Sequence, residues 1–160
     1  MTLSNRGDLE KVDPGQEARG WVHAAWYWHQ VSLERPEITF RLIHADESEL
    51  AVGMVAYGPA YRDAALSVVT PGWYELAHLV IDHRWQRRGI GRLVAESGLT
   101  VLAGLPDCAR LMVCQHPANV ASRALFLQLG FEDSAEVNYD GDPILVADAP
   151  AWLRGRVGRR

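Results

Sequence analysis

The segment from Trp73 to Leu102 constrains this chain more than any other, because its hydrophobic period changes partway along. From Trp73 to Ile81 the side chains split into two rows, one with Glu75, Ala77, Leu79 and Ile81 and the other with Tyr74, Leu76, His78 and Val80. That is a central strand. After Gly89, the residues Ile90, Leu93, Val94, Val101 and Leu102 fall at helical spacing, and Gly104 with Pro106 ends the run. A strand handing over to a helix through a two-glycine loop is the core unit of a mixed α/β domain.

The flanking segments fill in the order helix, three strands, strand, helix, strand, helix, strand pair. A helix is expected from about Gln16 to Val31, ending before Pro36, which discourages its continuation. Strands are expected at Ile38–Ile43, after which Asp46-Glu47-Ser48 turns the chain, and at Leu50–Tyr57, which Gly58-Pro59 ends. A third, short strand runs from Leu66 to Val69 or Thr70 and stops at Pro71-Gly72. Ala109–Cys114 reads as a further buried strand. Pro117 and Asn119 open a helix with an apolar side of Val120, Ala124, Leu125, Leu127 and Leu129, closed by Gly130. Phe131–Val137 and Pro143–Val146 read as a hairpin with Asn138 to Asp142 at its tip. No linker divides the chain: residues 1–14 read as a loose polar arm, 15–150 as one domain and 151–160 as a basic, solvated tail.

Composition narrows the classes. With 48% apolar and 22% charged residues among 160, the chain is globular. No apolar run approaches the roughly 20 residues that cross a bilayer, and the first eight residues lack a secretory signal stretch. Two cysteines, Cys108 and Cys114, read as reduced thiols of a cytoplasmic protein. The net charge of −4 argues against nucleic-acid binding and suits a cationic substrate.

The chemistry concentrates at Leu79 to Gly91. The first turn of a helix leaves backbone N–H groups unpaired, and the helix dipole adds partial positive charge there. Gly89 and Gly91 would let a diphosphate approach the backbone without meeting a Cβ. Arg84, Arg87, Arg88 and Arg92 supply charge and donors that match phosphate geometry. Two familiar nucleotide loops do not fit. The Gly-Lys-Ser/Thr ending is missing, and Val94 stands where a third glycine would be.

Here the sequence resembles the GNAT superfamily of N-acetyltransferases. Gln86-Arg87-Arg88-Gly89-Ile90-Gly91 is similar to its cofactor loop, Gln/Arg-x-x-Gly-x-Gly/Ala. Asn119-Val120-Ala121-Ser122-Arg123-Ala124-Leu125-Phe126, followed by Leu129-Gly130-Phe131, resembles its second segment, with Phe126 where tyrosine is usual. The stretches Ala51–Gly58 and Asn138–Val146 look most like the diamine/spermidine acetyltransferases. The resemblance covers roughly residues 38–147. It implies a mostly antiparallel central sheet splayed around an acetyl-CoA site and flanked by helices.

It also implies a division of labour. The backbone at Leu79, Val80 and Ile81 pairs with the pantetheine arm as an added strand. The loop from Gln86 through Arg87, Arg88, Gly89, Ile90 and Gly91, with Arg92, holds the pyrophosphate. Asn119 hydrogen-bonds the cofactor, and Ser122 and Phe126 lie beside its thiol end.

Acetyl transfer needs a neutral amine, a polarised carbonyl and a proton for the departing thiolate. Glu75 is the first candidate base, at the strand position where some family members carry a catalytic glutamate. His78 is the second, since an imidazole works near neutral pH with little tuning. Polyamine acetyltransferases commonly place acids near positions 77 and 78, where this chain has Ala77 and His78. A phenyl ring at Phe126 cannot protonate a thiolate, so Cys114, His116, Tyr139 or solvent must do so.

The resemblance implies that the aromatic run Trp21 to His29 borders the acceptor side, where Trp28, Glu34, Glu75 and Tyr139 are candidate contacts for a cationic amine. Core packing or a homodimer contact is the alternative use of those rings. His23 and His29 lack metal-ligand spacing, so no metal is expected. The expectation is an acetyl-CoA-dependent transferase acting on a small amine or polyamine. Protein or peptide acetylation and a non-catalytic acyl-CoA-binding module are the alternatives.

Overall fold

A computed structural model describes residues 11–46 and 50–157. Most of the expected arm (1–10), part of the expected turn after His44 (47–49) and the end of the basic tail (158–160) lie outside the described residues. The elements are α1 (Ala25–Glu34), β1 (Thr39–His44), β2 (Ala51–Tyr61), β3 (Val69–Ile81), a 3-10 turn (His83–Trp85), α2 (Ile90–Ala103), β4 (Arg110–Cys114), α3 (Val120–Gln128), β5 (Glu132–Val137), β6 (Pro143–Asp148) and α4 (Ala149–Val157). The six strands form one sheet in the order β1-β2-β3-β4-β6-β5. β1 pairs antiparallel with β2, and β6 pairs antiparallel with both β4 and β5. β3 and β4 run parallel, with Trp73, Tyr74 and Glu75 opposite Arg110, Leu111 and Met112. This is the mixed, mostly antiparallel α/β sheet implied by the sequence.

The chain divides into two compact units, residues 1–57 with 78–95 and residues 58–77 with 96–160. The dividing points fall inside β2, β3 and α2. In the first unit the core includes Trp28, Ile38, Phe40, Val52, Met54 and Val80. Gly53 lets β2 approach β3, because a Cβ there would stand 2.5 Å from the Val80 carbonyl oxygen. In the second unit Leu99, Leu111, Leu129 and Leu145 are fully enclosed, each contributing roughly 1.5–3 kcal/mol through burial.

Four sequence expectations are corrected, one being that Gly58-Pro59 ends the second strand: β2 runs through both residues to Tyr61. The N-terminal helix starts at Ala25, not near Gln16, and runs on to Glu34. Gly15 adopts φ 93, and the chain turns through Ala18 N–H to Gly15 O and Trp21 N–H to Ala18 O. Arg19 is drawn to Asp13 at 2.6 Å, which favours that turn over a helix. Pro71-Gly72 does not end a strand. Gly72 takes φ 74 and its carbonyl accepts from Ala109 N–H, so the central strand runs back through both residues to Val69 as one 13-residue strand, while Leu66 to Val68, expected in a third strand, lie outside it with Leu66 at φ 51. Residues 149–157 form a helix instead of a solvated tail. Trp152 is buried and donates to Leu129 O at 2.8 Å, while the Arg156 guanidinium lies 3.7 Å from the centre of the Trp152 ring.

Candidate active site

In the first unit the site begins with a buried aspartate. Asp82, 0% exposed, follows β3 and accepts from Arg84 N (3.0 Å), Nε (2.8 Å) and Nη2 (2.9 Å) and from Asp13 N (3.1 Å). The Arg84 bonds outweigh its burial and hold its pKa down at about 2. A fixed carboxylate thus turns the chain out of the strand. His83 N–H donates to Asp13 O, and Gln86 Nε2 donates to Ile81 O (2.9 Å) and Pro14 O (3.2 Å). Residues 13 and 14 of the expected loose arm are therefore strapped to this turn.

The loop that follows has an unusual backbone. Arg87 takes φ 63 and Gly89 takes φ 82, two left-handed residues just before α2. Such a backbone orients successive N–H groups toward one side, which suits an anion. A Cβ on Gly89 would meet nothing within 4 Å, so the glycine serves the backbone angle and leaves the space in front of the helix start clear. Leu93 N–H donating to Gly89 O marks where intrahelical pairing begins.

The side chains divide their roles differently from expectation. Arg84 is bound to Asp82, the Arg88 guanidinium sits 4.5 Å from the centre of the Trp85 ring and donates to Arg84 O, and the Gln86 amide binds backbone carbonyls. The Gln86 and Arg88 side chains thus hold the shape of the loop itself. Gly91 and Ile90 open α2. At the end of β3, Val80 is buried while Leu79 and Ile81 are half-buried.

His78 lies in an aromatic cluster of the same unit. Its ring centre is 5.5 Å from that of Trp28 and 6.1 Å from that of His23, and His23 stacks on Tyr27 at 4.5 Å. Trp28 is only 7% exposed, so it packs beneath His78 and does not form an open wall. Glu34 is exposed on the last turn of α1 and accepts from Gln30 at 3.0 Å.

The second unit places Glu75 beside Cys114. Glu75 is half-buried on β3, and loss of hydration around its carboxyl pushes its pKa up to about 7. The Cys114 thiol donates to that carboxylate and partly offsets the shift. The thiol itself is pushed up by burial and by the Glu75 charge, and it receives a hydrogen bond from Asn138. A thiol that holds its proton so firmly is a poor general acid. His116 Nδ1 accepts from Ala118 N–H in an exposed turn, and Tyr139 is exposed at the hairpin tip beside Asn138. Neither the sequence nor its periodicity announced the Glu75–Cys114 pair, because it depends on the register of β3 against β4.

Around α3 the local sequence explains the geometry. Asn119 Oδ1 accepts from Ser122 N–H at 3.1 Å and caps the helix, leaving Nδ2 with its donor chemistry. Ser122 Oγ lies 3.5 Å from Gln115 Oε1. Gln115 is 6% exposed, and among the described residues no group pairs with its Nε2. Gln115 belongs to none of the sequence motifs described above. A polar residue closing the apolar run Leu111-Met112-Val113 is the signal that marks it. Phe126 is buried against Phe131. Among the described residues, no three His, Cys, Asp or Glu side chains are grouped to hold a metal, and no helix is long and apolar enough to cross a membrane.

Sheet order, anion loop and capped helix together describe an acetyltransferase-type fold. The chain belongs to the Acetyltransferase (GNAT) family, whose profile it matches over residues 7–131. It is 26% identical over 99 residues to a spermine/spermidine N(1)-acetyltransferase of Bacillus subtilis, covering 61% of this chain and 62% of that protein. The chain thus spans about three-fifths of the length of that curated relative. An aminoglycoside acetyltransferase solved with coenzyme A superposes with a TM-score of 0.74 at 14% identity, over 98% of this chain and 96% of that one. The ribosomal-protein-S18-alanine N-acetyltransferase of Escherichia coli gives a TM-score of 0.60 at 16% identity, over 91% and 87%.

Proposed function

We propose that this chain is an acetyl-CoA-dependent N-acetyltransferase that passes its acetyl group directly to a primary amine of a small molecule. Glu75 carries the reading: a carboxyl poised at about 7 is a base matched to neutral pH. Acetyl-CoA supplies an acetyl group activated as a thioester, and in the net reaction the acceptor nitrogen gains that group while its proton ends on the departing sulfur. The left-handed backbone at Arg87 and Gly89 fits a pyrophosphate, since donors face it and no side chain fills the space. Arg92 adds charge one residue beyond the loop. Leu79, Val80 and Ile81 offer strand backbone to the pantetheine arm, and Asn119 and Ser122 bind it from the start of α3.

Glu75 takes a proton from the acceptor ammonium, directly or through water, and His78 is the secondary base. Phe126 has no proton to give, which leaves His116, Tyr139 or solvent to protonate the thiolate. Glu34 and Tyr139 are both exposed, and each is proposed as a contact for a cationic acceptor. The name of the Bacillus relative puts spermine and spermidine first among acceptors to test. Free thiols at Cys108 and Cys114 suit a cytoplasmic setting, and a homodimer is the oligomer to look for.

The test is thiol release from acetyl-CoA with a panel of polyamines, aminoglycosides and peptide N-termini. Turnover with polyamines above the other classes supports the reading. Turnover confined to peptides transfers the assignment to protein acetylation. Tight acetyl-CoA binding with no thiol release would leave a binding module.

A further inference from the structure

Gln115 follows β4 and is buried, with 6% of its surface exposed. One end of its amide lies 3.5 Å from Ser122 Oγ, and the other end has no partner among the described residues. Turning the amide over exchanges its oxygen and nitrogen but leaves one end in the same position. Buried polar side-chain atoms are rarely left unpaired in folded proteins, so such an end marks a place where something else binds. Asn119 and Ser122, four and seven residues beyond Gln115 at the start of α3, are the residues assigned above to the cofactor arm.

From this juxtaposition we infer that Gln115 is a positioning residue for the cofactor, its unpaired amide end hydrogen-bonding an amide of the pantetheine arm. The inference rests on the acetyl-CoA reading given above. The chemistry favours an amide partner over a phosphate. An amide of the arm has both a donor and an acceptor and can pair with either end of the Gln115 side chain, whereas a phosphate accepts only. The contact also links the Ser122 hydroxyl to the arm through a rigid, enclosed group and so orients both.

The experiment compares wild type with Gln115→Met, which keeps the length of the side chain and removes both polar ends. Thermal unfolding is measured without ligand, and affinities for CoA and for adenosine 3′,5′-bisphosphate, which lacks the pantetheine arm, are measured by calorimetry. Only the end that meets Ser122 Oγ at 3.5 Å has a protein partner, so the ligand-free melting temperature should fall by no more than about 4 °C, the worth of one hydrogen bond. CoA affinity should fall about fivefold, the usual worth of one hydrogen bond, while affinity for the bisphosphate is unchanged. A marked loss of ligand-free stability, including failure to fold, overturns the inference, because the amide would then be satisfied within the protein or by a buried water. Unchanged CoA affinity, or equal losses for both ligands, also overturns it. Failure of wild type itself to bind CoA would instead strike the functional reading on which the inference rests.

Discussion

Phe126 and Phe131 meet edge to face, with ring centres 5.6 Å apart, because the helix stop at Gly130 folds one onto the other. Phe131 N–H donates to Phe126 O and Gly130 N–H to Leu127 O, while Gly130 takes φ 83. These are the paired bonds and the hydrophobic contact of a Schellman cap. The Leu129-Gly130-Phe131 sequence is thereby explained by backbone physics, and it locks the ring at the position where the family usually has tyrosine.

Phe126→Tyr should raise kcat about tenfold by providing a proton for the thiolate, below the 10²–10⁴ of a well-placed acid. CoA affinity should not change. Phe126 is 4% exposed, so the hydroxyl should cost about 1 kcal/mol of stability if it gains a partner and up to about 3 if it does not. Stopped-flow thiol release and urea unfolding measure the two effects. An unchanged kcat would show that proton donation at this position does not limit the rate.

Glu75→Gln should flatten the pH profile of kcat. In wild type the rate should rise with an apparent pKa near 7, where Glu75 ionises. The variant should be slow at neutral pH and recover partly above pH 9, where more acceptor is already neutral. The sign for stability is opposite. The folded pKa is raised, so the native state binds more protons, and wild type should lose stability as pH rises from about 4.5 to about 7. That slope should disappear in the variant. If His78→Ala gives the flattened kcat profile and Glu75→Gln does not, the roles of the two residues are exchanged.

Gly89→Ala and Gly89→Glu should separate backbone angle from ligand access. At φ 82 an alanine should cost about 1 kcal/mol, with no clash among protein atoms. The glutamate adds a negative charge where the pyrophosphate is proposed to sit, and acetyl-CoA affinity should fall at least 100-fold, or about 3 kcal/mol. Calorimetry with acetyl-CoA decides, and equal affinities for the two variants would remove the loop from the binding site.

Asp82→Asn should cost about 2 kcal/mol at pH 7, because the folded pKa of about 2 lies below the ordinary 3.8. A depressed carboxyl stabilises above about pH 4, and that contribution is lost as pH falls toward 2. Wild type should therefore approach the variant in stability in urea titrations at pH 2. A constant difference between them at all pH values would mean that Arg84 does not set the charge of Asp82.

What the sequence determined by itself is local. The β3–loop–α2 unit followed from a change of period and two glycines, and Asn119 and Gly130 marked the ends of α3 through capping chemistry that acts over a few residues. Tertiary structure decided whatever depends on partners distant in the chain. Pro71-Gly72 reads as a strand end, yet Ala109, 37 positions beyond Gly72, captures the Gly72 carbonyl and keeps the strand continuous. Arg156 belongs to a charge-rich segment that looks solvated until Leu129 O, 27 residues away, accepts from it. Glu75 carries the same side chain in either state, and its proton affinity rises only because folding strips water from it, a rise that the Cys114 hydrogen bond partly offsets. Pattern and capping are written into neighbouring residues, whereas hydration and long-range pairing exist only once the sheet has closed around them.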